Sequence, residues 1–339
     1  MAYYAGLDLH RSMSVIVVKD RDGHMVREGR VPNEAGALRA FFHDQPSLTI
    51  ALEATTNYTW MYDTLEALGH TVQLAHPLKV RAIASARIKT DRIDAGILCD
   101  LLRSNLLPTS YVPPEPIRAL RELLRHRIRL VHNRTQVKNR LTTLLTKTNQ
   151  TVPGTDPFGV KGRQLLVTLP LSPMLAWQRD DGLAQLSLLN QQIHRIDQQL
   201  RLLAREHPDV PRLTAIPGIG LFSALLILAE IGEIQRFPSA KQLVGYAGLA
   251  PGLYQSGDTR HGRGITRQGS RYLRWILVEA SQHVIRRPGP LRQTYLRLVR
   301  PKGHGKSIVA VARKLLVGLY AVLHDAQPFA PAEPVPVTR

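Results

Sequence analysis

The chain has 339 residues, 44% of them apolar, a single cysteine and a formal charge of +19. That length accommodates two or three domains with real cores. One cysteine, Cys99, rules out an internal disulfide framework and fits a reducing compartment, where it is expected as a small buried side chain.

Residues 3–9 alternate in polarity and predict a strand. MSVIVVKD predicts a second, Arg21-Asp22-Gly23 a turn, and HMVREGRVP a third strand. NEAGALRAFFHDQ predicts a helix with Asn33 as its N-cap. LTIALEA predicts a buried strand ending at Glu53, NYTWMYDTLEALG a helix stopped by Gly69, and TVQLAHP another strand. Residues 78–107 then read as helical and carry Asp91 and Asp94. Three meandering strands followed by alternating helices and strands is the order of an α/β RNase H-like fold.

The proline-rich YVPPEPIR marks a break. Residues 115–149 predict one long helix with an imperfect apolar stripe and many basic side chains, among them Arg118, Arg121, Arg125, Arg129 and Lys138. VPGTDPFGVKG predicts a loop. A second helix is expected over 181–207, where Leu186, Leu189, Ile193, Ile196, Leu200 and Leu203 make a heptad seam. The seam suits a coiled-coil hairpin, a dimer contact or an ordinary bundle helix. IPGIG, before an apolar run, resembles a helix-hairpin-helix element whose backbone amides could meet a phosphate. A short helix over SAKQLVGYAGL, a basic loop containing Ser256, helices over 268–287 and 305–324, and a disordered tail from Ala326 complete the expectation.

Positive charge is unevenly placed. Residues 1–112 balance 12 basic against 12 acidic side chains, whereas residues 113–339 hold 33 basic and 14 acidic ones. That surplus predicts a polyanionic partner, because neutralised phosphates release counterions. Nucleic acid is favoured over anionic membrane, since there is no lipidation signal and no membrane-seeking aromatic face. The N-terminus lacks a signal-peptide pattern, and the most apolar stretch, LFSALLILAEIG, is short and contains Glu230. The expectation is a soluble cytoplasmic protein without a membrane partner.

Four carboxylates carry the chemistry. Asp8 and Glu53 sit in or at the end of apolar strands, where an unpaired carboxylate is costly. Asp91 and Asp94 lie three apart on one helix face. In an RNase H-like sheet the first and fourth strands are neighbours and the acid-bearing helix crosses them, which brings all four together. Oxygen ligands alone favour Mg²⁺ or Mn²⁺, and two such ions suit phosphodiester chemistry. No histidine shows metal-ligand spacing. The actin-like kinase and ATPase fold has a similar strand order, but the hairpin RSMSVIVVKDRDG lacks its phosphate loop. Downstream, Ser256 lies among Arg260, Arg263, Arg267, Arg271 and Arg274, and guanidinium forks suit phosphate. Ser256 is a candidate nucleophile and Tyr254 its rival.

The motifs LDLH, ALEAT, KTDRIDA, IPGIG, GYAGLAPG, QSGDTRHG and ITRQGSRYLRWILVEA run in this order over nearly the whole chain. They resemble those of the DEDD transposases of bacterial insertion sequences, the IS-one-ten / IS-eleven-eleven group. The resemblance implies a RuvC-like catalytic domain over 1–112, a helical coiled-coil connector over 113–207, and a mainly α C-terminal transposase domain over 208–325, with 326–339 as tail. It implies that Asp8, Glu53, Asp91 and Asp94 are catalytic and hold Mg²⁺, and that Ser256 forms a covalent phosphoserine link to DNA. Expected partners are element-end and target DNA, a structured guide RNA on the basic face of 118–147, and further copies of the chain as dimer or tetramer at the bacterial nucleoid. The alternative is a RuvC-like, metal-dependent, structure-specific nuclease that uses water.

Overall fold

The structure, a computed structural model, describes residues 2–84, 90–154, 156–256 and 259–329; for residues 253–263 it describes the backbone only. The chain divides into two compact units, Met1–Val112 and Pro113–Arg339.

The first unit is a six-stranded mixed sheet with helices. Strands β1 (Tyr3–Leu9), β2 (Met13–Asp20) and β3 (Met25–Pro32) form an antiparallel meander. Helix α1 (Ala35–Phe42), β4 (Thr49–Glu53), α2 (Tyr58–Ala67) and β5 (Thr71–Ala75) follow. After α3 (Pro77–Ile83) and α4 (Asp91–Arg103) comes a two-residue strand, β6 (Thr109–Ser110). The order across the sheet is β3-β2-β1-β4-β5-β6, with β1 and β4 parallel neighbours. Successive strand residues face opposite ways. Ala5, Leu7 and Leu9 therefore share one buried cluster with Ile50, Leu52, Met61 and Leu65, while Gly6 and Asp8 face the side that α4 covers.

Two expectations are corrected here. Residues 78–107 are not one helix: α3 ends at Ile83, Ala84 and Thr90 are extended, and Thr90 caps a new helix by accepting from the Ile93 amide at 3.3 Å. Asn33 does not cap α1, which has Glu34 at that position. Its side chain is bonded elsewhere, accepting from Ser14 Oγ at 2.6 Å and donating to the His10 carbonyl at 2.8 Å.

The second unit is mostly helical. Helix α5 (Glu115–Lys147) runs antiparallel to α7 (Pro173–Glu206), with Arg127 bonded to Asp197, Arg134 to Asn190 and Arg140 to Gln185. Leu186, Ile193 and Leu200, seven residues apart, are buried inside this unit. Between the two helices lies α6 (Val160–Thr168), which begins within the segment expected to be a loop.

Helices α8 (Asp209–Thr214), α9 (Leu221–Ile231) and α10 (Ala240–Tyr246) then lead to a hairpin of β7 (Pro251–Ser256) and β8 (Thr259–Ile265), followed by α11 (Arg271–Val284) and α12 (Pro290–His324). The basic loop expected around Ser256 is therefore a two-stranded sheet. The last element, α12, is two helical stretches joined at Gly303, whose backbone is not helical: the second matches the helix expected over 305–324, and the first, from Pro290, was not expected. Among the described residues α12 alone has the length and apolarity to cross a membrane; many of its apolar side chains, such as Val311, Leu315 and Leu319, are buried in the unit's core. The expected tail disorder falls largely on 330–339, outside the described residues.

Candidate active site

The acidic site is built by one close approach. Gly6 has no side chain, and the backbone of α4 lies against it at Ala95 and Cys99. The Cys99 thiol donates to the Tyr4 carbonyl at 3.3 Å, and burial pushes its pKa up to about 11, so it stays a neutral packing group. At the far end of α4, Lys19 donates to Asp100 at 2.7 Å. The helix is thereby pinned along β1 and β2, and its first turn, with Asp91 and Asp94, lies toward the C-terminal end of β1. Acidic side chains in a first turn also suit the helix dipole.

Asp8 faces α4 one pleat beyond Gly6. Gly6 pairs with Ala51 and Leu7 with Leu52, so the next residues along these parallel strands are Asp8 and Glu53. Ala51 packs with Leu98 and Leu102 of α4, and Glu53, two residues on, shares that face. Asp8 is 7% exposed. Burial raises its pKa, opposed by the nearby His10, and the charges of Glu53, Asp91 and Asp94 raise it further. The other three predicted acids thus all bear electrostatically on Asp8. A carboxylate set of this kind calls for a cation among them, and its oxygens fit a hard divalent ion.

His10 is the residue that sequence reasoning missed. Its Nε2 lies 3.3 Å from Asp8 Oδ2 and 3.2 Å from Asp91 Oδ2. The available signal was alternation, since Asp8 and His10 are two apart at the end of one strand. Arg30 also approaches Asp91, at 3.4 Å, while Arg92 pairs with Glu28 at 2.8 Å.

In the second unit, Ser256 ends β7 opposite Thr259, and Gln255 pairs with Arg260 and Gly252 with Arg263. The hairpin's root is fixed by backbone bonds. Thr266 N–H donates to the Ala250 carbonyl at 2.9 Å, Arg267 N–H to Gly248 at 3.1 Å, and Ser270 N–H to Tyr246 at 3.2 Å. Gly269 (φ 91°) is required there, because a Cβ would run into the Tyr246 carbonyl.

Beside the root lies a cleft of about 840 Å³ with an apolar floor that includes Leu249, Ile265 and Val309. Arg267, Arg297, Lys302, Lys306, Arg313 and Lys314 line it, and no acidic side chain among the described residues does. Burial, and then the charge of Arg297, lowers the pKa of Lys314. Of these cations only Arg267 was singled out from sequence.

The other expected phosphate contacts divide by their bonding. Arg121 donates to the carbonyls of Ala229 and Glu230 at 2.5 and 2.9 Å, and Arg125 forks onto the Glu230 carboxylate at 3.0 and 3.1 Å. Arg118 donates to the Pro113 carbonyl and Arg274 to that of Ala247. Arg129 is exposed, Lys138 lies over the Phe158 ring at 5.2 Å, and Arg271 is exposed beside Tyr272.

Two family descriptions match the chain: "Transposase" of the DEDD IS110 type over residues 5–150, and "Transposase IS116/IS110/IS902 family" over residues 210–297. Curated relatives agree. A probable family 20 transposase of Pseudomonas aeruginosa is 27% identical over 298 residues, 83% of each chain. The transposase for insertion sequence element IS1111A of Coxiella burnetii is 26% identical, covering 81% of this chain and 77% of its own. The pilin gene-inverting protein of Moraxella bovis is 29% identical, covering 86% of this chain and 85% of its own. With an acid-lined α/β unit and a basic helical unit behind these matches, the chain belongs to the IS116/IS110/IS902 family of transposases and is a DNA transposase.

Proposed function

We propose that this transposase cuts and rejoins DNA by transesterification through Ser256, with Asp8, Glu53, Asp91 and Asp94 as the residues that would hold Mg²⁺ or Mn²⁺. The observation that carries this reading is Asp8, a buried carboxylate close to Glu53, Asp91 and Asp94, whose ionisation burial and these acids oppose and His10 favours. A divalent ion held by these residues would offset that charge and supply Lewis acidity for phosphodiester chemistry.

In the first step Ser256 Oγ bonds to phosphorus and releases its proton. The P–O bond to the sugar breaks, and the departing sugar oxygen takes up a proton. In the second step a hydroxyl of the joining strand attacks phosphorus and restores the serine. One ester replaces another each time, so no external energy source is needed. The name of the Moraxella relatives, gene inversion, agrees with such conservative exchange.

Arg260, Arg263, Arg267 and Arg271 would contact DNA near the serine, and cations of α5, such as exposed Arg129 and half-buried Lys138, a structured guide RNA encoded by the element. In this scheme residues 113–207 serve as a coiled-coil connector and 208–325 as the transposase domain, with Pro217–Gly220 as a helix-hairpin-helix turn. The chain works as a dimer or tetramer on the bacterial nucleoid.

The test is incubation of the protein with Mg²⁺, element-end DNA and co-expressed RNA, followed by a denaturing gel. A covalent protein–DNA adduct that Ser256→Ala abolishes is expected. An adduct that survives Ser256→Ala and disappears with Tyr254→Phe overturns the serine assignment. Free 5′-phosphate ends with no adduct would instead identify a RuvC-like nuclease using water.

A further inference from the structure

We propose that His10 is a fifth ligand of the cation site, so that one imidazole nitrogen joins the carboxylate oxygens. This rests on the reading of the four acids as a cation site and adds to it the chemical identity of one donor.

Spacing is the first support. The ligand atoms of Asp8, His10 and Asp91 all lie within 4.8 Å of one another. Nε2 stands 3.3 Å from one carboxylate oxygen and 3.2 Å from the other. Adjacent ligands on an octahedral ion with bonds of about 2.1 Å are about 3.0 Å apart. The nitrogen is therefore at the separation that neighbouring ligands of one ion adopt, and a single ion can touch all three groups.

The placement of the ring is the second. The β1–β2 turn that carries it is tied down from two sides. The His10 carbonyl accepts from Asn33 Nδ2 at 2.8 Å and from Asn57 Nδ2 at 3.0 Å. Its own amide donates to the Met13 carbonyl at 3.1 Å. Asn33 is held by the Ser14 hydroxyl at 2.6 Å, and Asn57 by the Thr55 hydroxyl at 3.2 Å. Thr55 N–H in turn donates to the Glu53 carbonyl at 3.0 Å. One bonded chain thus runs from the strand end bearing Glu53 to the backbone of His10. These bonds fix the backbone of residue 10, and with it the point from which the ring reaches Asp8 and Asp91.

The donor set then sets metal preference. Carboxylate oxygens alone suit Mg²⁺, while an imidazole favours later divalent ions, with affinity rising from Mn²⁺ toward Co²⁺. Loss of His10 is expected to weaken Mn²⁺ and Co²⁺ binding by at least the roughly 10–100-fold seen when groups that merely support a metal ligand are removed, and Mg²⁺ binding by less.

The test loads the full chain with Mn²⁺ and records pulsed electron-spin resonance for nitrogen coupling. The wild type is expected to show coupling from a directly bound imidazole nitrogen. His10→Ala should lose it while still binding Mn²⁺ more weakly. Because Asn33 and Asn57 bond the backbone of residue 10, the substitution spares the turn; circular dichroism checks this. Should His10→Ala fail to fold, His10→Gln, which keeps side-chain bulk but has no imidazole, makes the same test, and wild type labelled with ¹⁵N-histidine checks that the coupled nitrogen is an imidazole one. Mn²⁺ bound without nitrogen coupling, or coupling that persists in His10→Ala, overturns the His10 assignment and leaves the acid site standing. A wild type that binds no Mn²⁺ overturns both.

Discussion

Gly6 of β1 and Ala95 of α4 meet backbone to backbone, and the space a Cβ would need at Gly6 is already filled by the Ala95 carbonyl oxygen. This contact sets how deeply α4 settles on the sheet, and hence where Asp91 and Asp94 stand relative to Asp8. Gly6→Ala is expected to lower stability by about 1–3 kcal/mol, the usual cost of overpacking, and to weaken Mn²⁺ binding because the helix must lift. Urea denaturation and isothermal titration measure the two effects. An alanine variant with unchanged stability and affinity would contradict the role given to this contact.

Glu230 is 1% exposed and accepts from Arg125, from Ser270 Oγ at 2.8 Å and, through its carbonyl, from Tyr246. Ser270 also caps α11. Arg125→Ala would leave a buried carboxylate without its cation, which costs about 3–5 kcal/mol. The salt dependence of nucleic-acid binding should stay as it was, because this guanidinium is bonded inside the protein. A large fall in melting temperature with an unaltered salt slope is the expected pair of results.

The basic cleft beside the hairpin root calls for the opposite pattern. Replacing Lys302, Lys306 and Arg313 together by Gln should leave the melting temperature nearly unchanged. It should flatten the plot of log affinity against log salt by about 0.9 for each phosphate contact removed. Binding titrations on element-end DNA at several salt concentrations would show it. An unchanged slope would remove the cleft from the nucleic-acid surface.

His70 is buried, and burial lowers its pKa below the ordinary 6.5. Its Nδ1 accepts from the Leu48 amide at 3.3 Å, which the neutral ring alone can do. The unfolded chain therefore binds this proton more readily than the folded one. The stabilising effect is complete above pH 6.5 and is lost as pH falls through the folded value. His70→Gln should flatten the decline in stability of the metal-free protein below pH 6.5, as read from denaturant midpoints at successive pH values.

Much of the first unit was legible because its signals are periodic. Alternation identified the strands, and Asp8 and Glu53 stood out as charges in apolar runs. Two of the departures from expectation have tertiary causes. Asn33 has the right chemistry for a cap, but Ser14 and His10, far along the sheet, claim its side chain. The segment around Ser256 is rich in glycine and arginine, with little strand propensity, and its strands exist through the ladder they form with each other. In the same way Arg121 and Arg125 look like solvent-facing cations on α5 until Glu230, more than a hundred residues on, is placed against them. His10 was hidden because its partners are a neighbour on the strand and an aspartate eighty residues away.

The arm that carries Ser256 is moored by main-chain atoms: Thr266 to Ala250, Arg267 to Gly248 and Ser270 to Tyr246. Such anchorage is indifferent to which side chains the arm bears. Substitutions between Pro251 and Ile265 can therefore retune what the arm meets without swinging it to a new angle, so changes of DNA preference and conservation of aim need not compete.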